Sequence, residues 1–201
     1  MKRKSLAYLV GLIGGDGSLS KDGKGNYEIN IVDPSFEFLQ TVTKLFEETL
    51  NIKAKIYVMK TALGNICYRI RIWSKKLYNF LIKLGVPEGR TKTFQMKTPE
   101  WIMNSGSKTK ASYIGGWMDA EGCITRKVVK KERRTYIYPR IAMHVVNKTI
   151  RDELAFLLKD LGLKFSTWNS GKMYGLQING FNNTDAYFRK IYTYHPKFTS
   201  R

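Results

Sequence analysis

The 201-residue sequence predicts an α+β protein of two pseudo-symmetric halves, each running helix, two strands, helix, two strands, helix (αββαββα), with the first helix of each half paired at their interface. Three observations carry that expectation: an ungapped internal repeat, strand segments alternating with period two, and a stripe of small residues in both copies of the repeated segment. The repeat is the strongest. Leu6–Gly17 aligns without gaps on Ala111–Gly122, an offset of 105 residues, close to half the chain. Downstream, Asn30-Ile31-Val32-Asp33 resembles His144-Val145-Val146-Asn147, and Tyr68–Ser74 parallels Tyr174–Gly180. Self-similarity at a fixed offset means one supersecondary unit used twice.

In order, the first half reads as a helix near 5–15, strands near 17–21 and 26–33, a helix near 35–50, strands near 53–60 and 66–73, and a helix near 74–84. The second reads as a helix near 111–121, strands near 122–130 and 136–146, a helix near 148–161, strands near 164–169 and 173–179, and a helix near 182–192. In Tyr68–Trp73, Ile70 and Ile72 fall on one face and Arg69, Arg71 and Trp73 on the other. That is the pattern of an antiparallel sheet covered by helices on one side and open on the other. Residues 85–110, with Pro87, Gly89, Pro99, Gly106 and many lysines, read as the linker, holding a short helix near Pro99–Asn104. The expected organisation is therefore an N-terminal half over 1–84, a linker over 85–110 and a C-terminal half over 111–201.

Composition bounds the function. Lys and Arg outnumber Asp and Glu by 35 to 16, a net charge of +19. Both halves share the excess, with 17 basic against 9 acidic residues in 1–100 and 18 against 7 in the remainder. Such a surface repels itself and points to a polyanionic partner, nucleic acid before an anionic membrane. Cys67 and Cys123 fit no metal-ligand spacing and read as idle thiols of a reducing compartment. Met1–Lys4 followed by Leu6–Gly15 mimics a signal peptide, but no cleavage site follows, Asp16 interrupts the run, and a sibling segment recurs in mid-chain. The segment is expected to be a structural helix of an intracellular protein (cytoplasm or organelle matrix), not secreted and with no membrane partner.

The repeated helix holds two anomalies. Ala7, Gly11 and Gly15 are spaced by four, as are Ser112, Gly116 and Ala120 at matching positions. Glycine inside a helix costs roughly 1 kcal/mol relative to alanine, so glycines retained in both copies predict two helix backbones in close approach. Leu9, Leu12 and Ile13, with Ile114, Trp117 and Met118, are left to face their own sheets. The second anomaly is the acid ending each copy, Asp16 or Glu121, followed by Gly17 or Gly122. A carboxylate at a helix C-terminus faces the negative end of the macrodipole. Two such acids brought together by crossing helices need a cation between them, and hard oxygen donors beside a phosphate suit Mg²⁺. Asp119, one step out of phase, either orients a neighbour or is solvated.

On these residues the chain resembles the LAGLIDADG homing endonucleases in their single-chain, two-motif form. The resemblance rests on Leu6–Gly17, Ala111–Gly122, the order of elements, and Leu84–Lys92 closing the first half. It implies saddle-shaped sheets straddling double-stranded DNA, with motif helices at the interface and their terminal acids binding divalent metal. It also implies a site-specific double-strand break with short 3′ overhangs by Mg²⁺-dependent hydrolysis, with Mn²⁺ or Ca²⁺ able to occupy the same sites. Carried over, Asp16 and Glu121 are the catalytic metal ligands, and Gly15 and Ala120 join the metal shell. Asp33 and Asn147 fall where the family places a polar residue in the solvent network, although glutamine is common there. A basic residue near the end of each half is a further catalytic element: Lys92 in the first half, with Lys197 the nearest counterpart in the second. The family also contains intron RNA maturases and non-cleaving DNA-binding regulators. Loss of a motif acid would favour either, and neither acid is lost here.

Reading DNA requires phosphate contacts for affinity and polar side chains in the major groove for sequence. The outward strand positions supply Glu28, Asn30, Lys53, Lys55, Tyr57, Arg69, Arg71 and Trp73 in the first half. The second supplies Arg140, His144, Trp168, Gln177 and Asn179, with Ala142 at a similar phase. Arg69 and Arg71 suit either guanine edges or phosphates. Arg126–Arg134, including Lys127 and Lys130, reads as a basic hairpin clamping phosphates or as a solvated loop. His144 and His195 show no catalytic or metal-binding pattern. Because the halves differ outwardly, the target is expected to be only approximately palindromic and the protein a monomer.

Overall fold

The structure is a computed structural model, and it describes residues 2–89, 92–131 and 134–198. The first half comprises α1 (Lys2–Gly15), β1 (Gly17–Lys21), β2 (Tyr27–Asp33), α2 (Phe36–Leu50), β3 (Lys55–Lys60), β4 (Ile66–Trp73) and α3 (Lys75–Lys83). The connection holds α4 (Lys92–Gln95) and α5 (Glu100–Met103). The second half comprises α6 (Ser107–Glu121), β5 (Gly122–Lys131), β6 (Arg134–Val145), α7 (Lys148–Asp160), β7 (Ser166–Ser170), β8 (Met173–Asn179), α8 (Phe181–Lys190) and a 3₁₀ turn at Pro196–Phe198. The expected αββαββα order is present twice. The two sheets are antiparallel, in the orders β1-β2-β4-β3 and β5-β6-β8-β7. Two boundaries differ from expectation: α6 opens at Ser107, inside the segment read as linker, and α4 is an additional short helix.

Local chemistry explains the elements. Ser35 and Ser74 cap α2 and α3 by accepting from the backbone N–H of Phe38 and Leu77, both at 3.1 Å. Asn51 ends α2 in the left-handed region, φ 55°. The amphipathic helices α2 and α7 lay Phe38, Leu39, Val42 and Phe46, and Ile150, Leu154 and Leu157, on one face of each sheet. There they meet Leu19, Ile29, Ile31, Ile70 and Ile72 in the first half and Ile141, Met143, Leu176 and Ile178 in the second.

The centre of the molecule is the crossing of α1 and α6. Every residue of α1 from Ala7 to Gly14 is buried, because a sheet covers one side and α6 the other. A Cβ at Gly11 would strike the carbonyl oxygen of Tyr113, and one at Gly116 that of Tyr8. A Cβ at Gly15 would meet Ala120 Cβ. The small-residue stripes are the contact surface, as their spacing predicts. Trp117 departs from expectation: its ring lies against Gly14 of α1, where an added Cβ would sit 2.9 Å from Cζ2, so it packs across the crossing as well as onto its own half. Gly115 is out of phase with the stripe and meets a third partner, the carbonyl oxygen of Tyr192. The C-terminal segment runs along α6 there. Among the described residues no helix is long and apolar enough to cross a membrane.

Candidate active site and nucleic-acid face

Asp16 and Glu121 emerge side by side where the crossing helices end. Both are exposed, although the helices delivering them are buried. A Cβ at Gly15 would lie 3.3 Å from Glu121 Cγ, which fixes how closely the acid-bearing ends approach. Two exposed carboxylates at two helix C-termini form a local negative centre on a +19 protein. No group of three or more His, Cys, Asp or Glu side chains able to hold a metal occurs among the described residues. The donor set is thus too small for an all-protein cage. It fits a cation that keeps several waters and takes one or two carboxylates plus phosphate oxygens, which is the habit of Mg²⁺.

Beneath this centre the tail following α8 supplies a cation. Lys197 Nζ donates to the carbonyl oxygens of Asp119 at 2.6 Å and Ala120 at 3.2 Å, at the last turn of α6. Burial lowers its pKa from the ordinary lysine value, opposed by the charges of Asp119, Asp16 and Asp33. The ammonium compensates the helix end and the acids it carries. The Ala120 carbonyl, expected in the metal shell, is shared with this lysine; Gly15 stands opposite.

Asp119 is fully buried, which removes the solvated alternative. Its Oδ2 accepts from Tyr8 Oη on α1 and from the backbone N–H of Tyr194, both at 2.6 Å. Burial raises its carboxyl pKa, against the hydrogen bonds from Tyr8 and Tyr194. One carboxylate therefore joins α1, α6 and the tail.

Asp33 and Asn147 are not equivalent in the structure, contrary to their sequence alignment. Asn147 caps α7 by accepting from the Ile150 N–H at 3.3 Å, the role of Ser35 in the first half. Strand register agrees: Gly17 pairs with Ile31 while Gly122 pairs with Met143, which aligns Asp33 with Val145. Neither polar side chain is free in a solvent network. Asp33 is buried, accepts the Ser35 N–H at 2.6 Å and lies 3.3 Å from His195 Nε2. His195 Nδ1 accepts the Lys197 N–H at 3.0 Å, and its ring packs on Phe38 at 4.6 Å. Asn147 Nδ2 donates to the carbonyls of Thr93 at 2.9 Å and Met96 at 2.8 Å. Each residue thus ties down the segment that ends the other half: Asp33 the tail bearing Lys197, Asn147 the connection that Lys92 opens. The Lys92 side chain lies outside the described part of the structure.

Opposite the helix-covered faces, the sheets present polar rows. Cross-strand partners share a face. Glu28 pairs with Trp73, Arg71 with Asn30 on one side and Lys55 on the other, and Tyr57 with Arg69, so these seven form one patch as expected. In the second sheet Arg140 pairs with Asn179, Ala142 with Gln177, and Gly175 lies between His144 and Trp168. The Trp168 ring covers Gly175, leaving no room for a Cβ, and meets His144 edge-on at 4.9 Å. His144 also lines a cleft of about 170 Å³ shared with Glu121 and Asn147.

Three expected DNA contacts sit elsewhere. Lys53 precedes β3 and faces Glu47 at 3.9 Å, off the sheet. Arg126 and Lys130 pair with Pro139 and Thr135, on the phase of Ile124 and Val128, whereas Lys127 shares the phase of Thr125 and Arg140. Alternation along β5 splits the hairpin cations between both faces. Residues 132 and 133 of that hairpin lie outside the described residues.

Comparison with known proteins follows the same lines. A family model described as a LAGLIDADG-like domain matches residues 3–85. Homing endonuclease I-DmoI of Desulfurococcus mucosus is 30% identical over 166 residues, 79% of this chain and 71% of that protein. An uncharacterised protein of Methanocaldococcus jannaschii is 26% identical over 165 residues, 82% of this chain but 57% of that one. The tRNA-splicing ligase RtcB of Pyrococcus furiosus is 27% identical over 213 residues, and this chain spans 21% of its length. Among solved structures, I-DmoI in complex with DNA and Mn superposes on 97% of this chain and 99% of that one, with TM-score 0.67 and 22% identity.

Proposed function

Because the chain belongs to the LAGLIDADG homing endonuclease family, we propose that it is a site-specific endonuclease that cuts both strands of a long, approximately palindromic DNA duplex by Mg²⁺-dependent phosphodiester hydrolysis. Short 3′ overhangs are the expected product, and one chain serves one target. The observation that carries this reading is the juxtaposition of Asp16 and Glu121. Exposed carboxylates at abutting helix C-termini are poorly placed for helix stability and well placed to share a hard cation.

Asp16, Glu121 and the carbonyls of Gly15 and Ala120 are the groups that would hold the metal. When bound there, Mg²⁺ supplies polarisation of the scissile phosphate and a water acidified for in-line attack. The chain's own residues do the rest. The α1·α6 crossing fixes the separation of the two acids. Lys197, desolvated and held on the Asp119 and Ala120 carbonyls, holds positive charge beside the site where phosphate charge builds. Asp33, His195 and Asp119 hold the tail carrying that lysine, and Asn147 holds α4. The outward faces of both sheets, from Glu28 to Trp73 and from Arg140 to Asn179, carry the contacts to DNA.

The test is incubation with the host locus lacking any insertion, in Mg²⁺. Cleavage at one sequence is expected. Tight binding of that DNA without cutting would contradict the enzyme and favour a regulator. Binding of intron RNA in preference to DNA would favour a maturase.

A further inference from the structure

Two arginines stand on the outward face of β4, and their surroundings differ. Arg71 donates from Nε and from Nη2, the latter at 3.1 Å, to the two carboxylate oxygens of Glu28 on β2. Its guanidinium lies 4.5 Å from the Trp73 ring centroid. The Glu28 side chain is only 13% exposed, and the Arg71 hydrogen bond holds its carboxyl pKa below the ordinary value. Arg69, two residues earlier, lies between Val32 and Tyr57 in the register and makes no ion pair among the described residues.

These settings select different partners on a duplex. A guanidinium has five N–H donors in a rigid fork. Glu28 occupies the Nε/Nη2 edge, which leaves the Nη1/Nη2 edge for two parallel donations. Phosphate binding depends on net charge, and a carboxylate against the guanidinium both cancels its charge and repels the approaching phosphate. The guanine major-groove edge is a neutral pair of acceptors, O6 and N7, and depends on direction instead. A fork already fixed by Glu28 and stacked on Trp73 loses little side-chain freedom in making that contact. Arg69 keeps its charge and suits a phosphate.

We propose that Arg71, buttressed by Glu28 and Trp73, reads one guanine in the half-site bound by the N-terminal sheet, and that Arg69 holds the phosphate backbone. This rests on the site-specific DNA-binding reading above.

The test is selection of bound duplexes from a randomised library by the full chain in Ca²⁺, followed by the salt dependence of binding to the recovered duplex. Wild type should recover guanine at a position where Arg71→Ala and Arg71→Lys lose the preference. Affinity for that duplex should fall by on the order of 10- to 100-fold in Arg71→Ala, with an unchanged salt slope. The lysine variant keeps the charge but lacks the fork, so its loss of preference isolates geometry. Arg69→Ala should keep the guanine and reduce the salt slope by about one. Retention of every base preference in Arg71→Ala, with a slope reduced by about one, would make Arg71 a phosphate contact and overturn the proposal. Unaltered preference and slope in that variant would overturn it equally. A wild-type selection that recovers no sequence would sink the site-specific reading itself, and this proposal with it.

Discussion

At the residue scale, the site is a negative centre with a cation built beneath it. Asp16 and Glu121 were readable because each breaks a local rule in the same way: an acid at the wrong end of a helix, repeated 105 residues later. Lys197 was readable only as the nearest base, since no local pattern announces a lysine reaching the carbonyls of Asp119 and Ala120. The Asp33–His195 pair was not readable, because the repeat matched Asp33 to Asn147 and no pattern marks His195, at the other end of the chain. Two expectations follow. Lys197→Met should leave binding of a target duplex in Ca²⁺ within a few-fold while slowing cleavage in Mg²⁺ about tenfold or more, since it removes charge that acts on the reacting phosphate. His195→Ala removes the ring between Phe38 and Asp33 and strands a buried carboxylate, so thermal unfolding should show a loss of about 1–3 kcal/mol. An unchanged melting temperature would mean that the Asp33–His195 contact contributes nothing to holding the tail.

At the element scale, the crossing of α1 and α6 decides where the acids stand. The spacing of Ala7, Gly11 and Gly15 against Ser112, Gly116 and Ala120 announced it, because only a backbone contact explains glycine where helices prefer alanine. Gly115 carried a signal of its own, out of phase with that stripe, and the Tyr192 carbonyl accounts for it. The equivalence of Asp33 and Asn147 misled, because Asp33 is followed by Pro34 before its helix is capped at Ser35, whereas Asn147 is itself the cap. That two-residue difference is invisible when matching polar residues after strands. Gly116→Ala should lower stability by about 1–3 kcal/mol through overpacking against Tyr8, despite the gain in helix propensity, and calorimetry gives the sign directly. Gly23→Ala in the β1–β2 turn meets no atom within 4 Å and serves as the control.

At the scale of the whole molecule, two unlike halves make one surface. The repeat and the period-two strands revealed both sheets and their open faces, since burial of Ile70 and Ile72 fixes where Arg69 and Arg71 point. The basic hairpin was legible as charge but not as direction, because Arg126 and Lys130 alternate away from Lys127 along β5. With +19 of net charge, affinity for duplex DNA should fall steeply with salt. Sedimentation with the target should give one chain per duplex; two chains per duplex would contradict the internal pairing of α1 with α6 as the source of twofold symmetry.

The central claim is that the two helix-end acids together are the active site. Cleavage of the target in Mg²⁺ by Asp16→Asn and Glu121→Gln, set beside binding of the same duplex in Ca²⁺, tests it most directly. Both variants should bind within a few-fold of wild type and make double-strand breaks at least about a hundredfold more slowly. Double-strand cutting by either variant at the wild-type rate would contradict the account.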